Sequence, residues 1–104
     1  MKIFLDTEFN GFRGQLISVG LAAEDGREFY GVCELPEVVD PWVAKNVVPV
    51  LFPDYLKLSA AVPRNVLRVT TIGFLTNFLE DIEIITDWPA DPWYLFDLLL
   101  GDSH

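Results

Sequence analysis

The sequence predicts an α/β fold on a mixed sheet: an antiparallel meander of three strands, followed by helix, strand and helix. Three observations support this. Short apolar runs separated by turn residues fill the first third of the chain, helical spacing begins only near residue 40, and another short apolar run, Glu83-Ile84-Ile85-Thr86, lies between two helical stretches. A block of strands followed by alternating helix and strand packs as a sheet with helices laid on it. The 104 residues fit a single domain, 1–104.

The opening strand is Ile3-Phe4-Leu5, which runs straight into Asp6-Thr7-Glu8-Phe9. Strand side chains alternate faces, so Asp6 and Glu8 point the same way and Thr7 points the other. Asn10-Gly11-Phe12-Arg13-Gly14 marks a turn, and residues 16–23 read as a second strand covered on both faces. Glu24-Asp25-Gly26-Arg27 carries an Asp-Gly hairpin signal, and residues 28–32 form the third strand.

Asp40 with Pro41 behind it starts a helix, with Trp42, Val43, Val47, Val48 and Leu51 as its apolar face and Pro49 ending or kinking it. The stretch from Pro53 to Pro63 is an unpatterned connection. Thr70 or Thr71 is expected to cap a second helix with Ile72, Leu75, Phe78 and Leu79 as its buried stripe. After the fourth strand and Asp87-Trp88-Pro89-Ala90-Asp91, residues 92–100 read as a third helix stopped by Gly101. Strands one and four both run out at carboxylates. If they are parallel neighbours, Asp6, Glu8 and one of Asp87 or Asp91 converge at one sheet edge, where open α/β sheets place their sites.

The composition narrows the function. A net charge of −9 and a pI near 4.2 count against a stable nucleic-acid-binding module, because phosphates are repelled at long range. They count less against a nuclease whose metal ions bridge carboxylate and phosphate. Lys57, Arg64 and Arg68 form the one basic stretch: either ordinary loop solvation or the place where nucleic-acid backbone arrives. The single Cys33 excludes an intramolecular disulfide and reads as a small core residue in a reducing compartment. Only three apolar residues separate Lys2 from Asp6, which is no signal peptide, and no stretch has the length to span a bilayer, so the expected location is the cytoplasm. With 51% hydrophobic residues, the chain packs a dense core or leaves apolar surface for a partner.

Two carboxylates presented together repel each other and are tolerated when a hard divalent cation sits between them. The competing reading of Asp6 and Glu8 is simply the start of a solvated loop. There is no zinc-type cluster, no Gly-rich phosphate loop, and no histidine placed to activate Ser18 or Ser59; the lone His104 is a tail residue.

The run Ile3-Phe4-Leu5-Asp6-Thr7-Glu8-Phe9, then Leu16-Ile17-Ser18-Val19-Gly20-Leu21 and Asp25-Gly26-Arg27-Glu28-Phe29-Tyr30, resembles the DEDD superfamily of 3′→5′ exonucleases. Within it the likeness is to the small bacterial exoribonuclease-like branch that opens with Asp-Thr-Glu-Phe. Ile84-Ile85-Thr86-Asp87-Trp88-Pro89-Ala90-Asp91 is similar to the second motif, with Asp91 at the metal position and Asp87 where the family often has a polar Asn. The resemblance implies a ribonuclease H-like fold and a two-metal Mg²⁺ or Mn²⁺ site acting on RNA or DNA 3′ ends. Asp6 would bridge both metals, Glu8 would bind one and Asp91 the other, with Asp87 beside them. Phe9 and the backbone near Asn10, with Thr7, would lie against the terminal nucleotide; Arg64 and Arg68, from the charge pattern alone, are placed toward the incoming strand. The alternative for Phe9 is core packing.

The family's third motif, a histidine base with a fourth Asp, has no counterpart before Gly101-Asp102-Ser103-His104. A positioned base is typically worth on the order of 10²–10⁴ in rate. The expectation is therefore a C-terminally shortened exonuclease fold, weak or inactive as this chain and self-associating through uncovered apolar surface. The alternative is a non-catalytic module that binds a nucleotide end or another subunit.

Overall fold

The computed structural model describes residues 1–11, 14–36, 38–51 and 61–101. The expected connection through residue 60 with Lys57, and the tail with His104, lie outside the described residues.

The elements are β1 (Lys2–Phe9), β2 (Leu16–Ala23), β3 (Glu28–Val32), α1 (Pro41–Asn46), α2 (Val48–Leu51), α3 (Arg64–Leu75), β4 (Glu83–Ile85) and α4 (Ala90–Leu100). They form a four-stranded mixed sheet in the order β3-β2-β1-β4. The meander is antiparallel, and β4 pairs parallel to β1 through Ile3 opposite Ile84. Both strands therefore run toward the same edge of the sheet, β4 ending opposite Phe4, two residues before Asp6. Among the described residues no helix is long and apolar enough to cross a membrane.

Alternation along β1 sorts its side chains: Ile3, Leu5 and Thr7 are buried while Phe4 and Asp6 are exposed. The buried set packs with Val19 and Leu21 of β2 under Leu67 of α3 and Leu95 and Leu98 of α4. A smaller cluster joins Ile17 to Val43 and Val47 beside the sheet. Both Leu16 and Ile17 are buried because the β1–β2 register slips between Glu8 and Phe9, the kind of bulge that re-aims side chains at a strand end. Cys33 is 4% exposed and part of the core, as expected.

Two helices differ from the sequence reading. The first splits: Asp40 caps it and Pro41 opens it as expected, but Val47 is a turn and Val48–Leu51 is a separate short helix around Pro49. Its buried residues are Val43 and Val47, one turn apart, which leaves Trp42 about a quarter-turn off that stripe and 66% exposed. The second helix starts earlier than Thr70, at Arg64 behind Pro63. Thr71 lies inside it, fully buried, its hydroxyl donating to the Leu67 carbonyl at 2.6 Å. Such back-bonding satisfies a mid-helix hydroxyl, so Thr here is not a boundary. Leu79 is fully exposed, because the helix ends at Leu75 and Phe78 turns inward without it.

Candidate active site

The last helix, α4, supplies the site its most informative residue. On α4 the buried positions are Asp91, Tyr94, Leu95 and Leu98, the spacing of one core-facing stripe, so an acid occupies a place that geometry reserves for an apolar side chain. Asp91 is 2% exposed. Two hydroxyls hold it: Thr7 Oγ1 donates to Oδ1 at 2.6 Å, and Thr86 Oγ1 donates to Oδ2 at 3.2 Å. Thr7 is the polar member of the buried face of β1, so the two misplaced polar residues satisfy each other. A buried carboxylate needs such partners, and the first turn of a helix also favours negative charge.

Asp6 and Glu8 leave β1 on the face opposite Thr7, yet at the strand end they line the same cavity as Asp91, with a volume of about 890 Å³. Burial at the rim raises the Asp6 carboxyl above its ordinary range although the side chain reaches solvent, and the charges of Asp91 and Asp87 raise it further. Burial likewise raises Glu8, followed by the charges of Asp6 and Asp91. Among the described residues, none of Asp6, Glu8, Asp87 or Asp91 forms an ion pair. Asp87 is exposed and acts on the rim only through its charge.

The donors are hard oxygens, the chemistry Mg²⁺ and Mn²⁺ take. Among the described residues no three acidic, histidine or cysteine side chains stand close enough to cage an ion as they are. That spacing accords with the mutual repulsion of the acids and with the hydroxyl bonds that hold Asp91 back. The residue types are those a hard divalent cation takes, while the described spacing does not form a cage for one.

The remaining expected residues take other positions. Phe9 is half-buried: it lines the cavity and also stacks on Tyr94, with ring centroids 4.5 Å apart and an angle of 15°. Asn10 works as a clasp: its Oδ1 accepts from Asp40 N at 2.6 Å and its Nδ2 donates to Val38 O at 2.9 Å. Gly11, at φ 75°, lies so close that a Cβ there would be 3.0 Å from the Asp40 carboxylate. Arg64 pairs with Asp97 at 3.0 Å, and Arg68 Nε donates to Leu99 O at 3.1 Å, so both arginines tie α3 to α4 and neither lines the carboxylate cavity. Arg64 borders a second cavity of about 590 Å³, with Cys33, Trp93 and Asp97.

Sequence reasoning missed Trp42, Trp88 and Asp40 as cavity residues and Thr86 as a holder of Asp91. The offset of Trp42 from the Val43–Val47 stripe was the available signal. Trp88 carried none beyond its place between Asp87 and Pro89.

The fold and this cavity define an α/β domain with an acidic rim at the carboxyl end of its central strand. No family model matches the sequence. Over 57 residues the chain is 47% identical to the 3′-5′ exoribonuclease of Mycobacterium tuberculosis, in strains CDC 1551 and H37Rv alike. That match covers 51% of this chain and 34% of each relative, so the chain matches about a third of the relatives' length. The similarity supports a relationship to exonucleases.

Proposed function

We propose that this chain carries a metal-dependent 3′→5′ exonuclease site of the DEDD type, on a ribonuclease H-like sheet, directed at RNA ends. The observation that supports it is the convergence of Asp6, Glu8 and Asp91 on one cavity, where burial and like charge raise Asp6 and Glu8 with no basic partner among the described residues. Strained acids of this kind in a cleft mark functional sites more often than structural ones. The name of the mycobacterial relatives supplies the substrate class and polarity.

In this reading Asp6, Glu8 and Asp91 hold Mg²⁺ or Mn²⁺, with Asp87 adding charge. The metal would supply charge neutralisation at the phosphodiester and activation of water. Thr7 and Thr86 position Asp91. Residues 1–104 contain no counterpart of the family's histidine base, so metal binding is the primary measurement for this chain and turnover the secondary one.

Calorimetric titration with Mn²⁺ tests the proposal. Wild type binds, Asp6→Asn does not, and hydrolysis of a 5′-labelled oligoribonucleotide, where present, disappears with it. Identical titrations of wild type and Asp6→Asn sink the metal role of Asp6.

A further inference from the structure

We infer that Tyr94 is a positioning residue: it holds the end of β1 that carries Glu8 against the helix that carries Asp91, and so sets the separation of the acids in the carboxylate cavity. The inference rests on the exonuclease reading and extends it from the carboxylates to what keeps them in place.

The sheet alone holds that end of β1 poorly. β4 pairs with β1 only as far as Phe4, so among the described residues one edge of β1 has no partner strand beyond that point. On the other edge the ladder with β2 slips between Glu8 and Phe9. The acids meanwhile repel: the charges of Asp6 and Asp91 act on Glu8, and the charge of Asp91 acts on Asp6. Like charges in a partly desolvated cleft drive their carriers apart, so something besides the ladder must keep β1 and α4 together.

Two ties do so, one on each side of Glu8. Thr7 donates to Asp91 at 2.6 Å, and Phe9 lies face to face with Tyr94 with ring centroids 4.5 Å apart. Thr7 and Phe9 are two residues apart on β1, and Asp91 and Tyr94 are three apart on α4. Those spacings put each pair on one face of its element. Strand and helix are therefore joined twice, with Glu8 between the joints.

The Tyr94 hydroxyl adds a third tie. It donates to Gly14 O at 2.9 Å, in the turn that follows Glu8 and Phe9. That turn is closed on itself by Asn10 N to Gln15 O at 2.8 Å and Gly14 N to Gly11 O at 2.9 Å, and a Cβ on Gly14 would run into the Asn10 carbonyl. Holding Gly14 thus holds the turn. Burial, then the charge of Asp97, raises the Tyr94 hydroxyl above its ordinary pKa, so it keeps its proton and donates at neutral pH. Tyr94 is 5% exposed, and a phenylalanine would fill that position as well; only the hydroxyl reaches the turn. Carboxylates left free to spread bind a common ligand more weakly, because binding must then supply the ordering.

Mn²⁺ binding followed by water-proton relaxation, with thermal unfolding of the same proteins free of metal, tests this. Tyr94→Phe keeps the stack, removes the bond to Gly14 and binds Mn²⁺ roughly 2- to 12-fold more weakly, the affinity equivalent of one neutral hydrogen bond. Tyr94→Leu loses both stack and bond and binds more weakly still. Phe9→Leu also weakens binding, and in the Phe9→Leu/Tyr94→Leu double variant the loss is less than the two single losses combined, since the stack is broken only once. Leu98→Ala, a fully buried change further along α4, lowers the thermal midpoint at least as much as Tyr94→Phe and leaves Mn²⁺ affinity unchanged. Wild-type affinity in Tyr94→Phe, independent losses in the double variant, or a loss in Leu98→Ala as large as in Tyr94→Phe overturns the proposal.

Asp6→Asn run alongside separates the two readings. Mn²⁺ binding that is lost in Asp6→Asn but indifferent to Tyr94 removes the positioning role and leaves the metal site. A wild-type chain that binds no Mn²⁺, or binding that Asp6→Asn leaves intact, removes the metal site and the positioning role with it.

Discussion

At the hairpin end of the sheet, Asp25 receives Arg27 through Nε at 2.8 Å, Nη2 at 2.7 Å and the backbone N at 3.0 Å, and these bonds hold its carboxyl below the usual range. At the other end, where β1 runs out, Asp6 and Glu8 stand near Asp91, and burial with neighbouring negative charge pushes both upward. The sheet thus pairs acid with base at one end and acid with acid at the other. The first arrangement stabilises the fold. The second works against it at neutral pH, and the proposed metal site rests on that.

The comparison breaks most sharply at Thr7. Thr7→Val keeps the shape and removes the donor to buried Asp91, so a loss of about 1.5–3 kcal/mol is expected, the range for hydrogen bonds to charged groups. Thr86→Val, with a longer and partly buried bond, costs less. Urea denaturation measures both, and a Thr7→Val protein as stable as wild type shows that Asp91 is not held this way.

A smaller effect with the opposite sign is expected at the rim. Asp6 and Glu8 have raised folded-state pKa values, so the folded state binds more protons than the unfolded one between the ordinary and raised values. Their stabilising contribution is complete below the ordinary values of 3.8 and 4.5 and is lost as pH rises through the raised ones. Asp6→Asn or Glu8→Gln should therefore raise the thermal midpoint at pH 7, and the gain should vanish below about pH 3.8. A lower midpoint at pH 7 would mean the rim acids have basic partners after all.

The smallest effect belongs to Asp25. Its lowered pKa contributes stability above the ordinary value of 3.8 that is lost as pH falls through the depressed one. Asp25→Asn should lower the midpoint slightly at pH 7 and leave Mn²⁺ binding intact. A solvent-exposed pair is weak, so added salt should shrink the difference. A salt-independent change as large as that of Thr7→Val would contradict the contrast between the two ends.

Much of the fold was legible because local signals and burial agreed. The meander followed from apolar runs and the Asp-Gly turn, α1 from Asp40-Pro41, and the stop of α4 from Gly101, at φ 73°. Reading failed where a residue had two physical roles. Thr71 looked like a cap but satisfies itself inside α3, and the Thr70–Thr71 pair hid a helix that begins at Arg64. Arg64 and Arg68, read as loop solvation or a phosphate contact, bond Asp97 and the Leu99 carbonyl between α3 and α4, partners that no local pattern announced.

By itself the sequence determined the alternation that puts Asp6 and Glu8 on one face of β1, because strand period is a local rule; the parallel pairing of β1 and β4, only a condition in the sequence, is seen in the structure. Only the tertiary structure decided that Thr7 and Asp91 would bond across 84 positions, that Phe9 would stack on Tyr94, and that Trp42 and Trp88 would be left open beside the acids. Each of those depends on which surface a second element covers, and no local pattern encodes that.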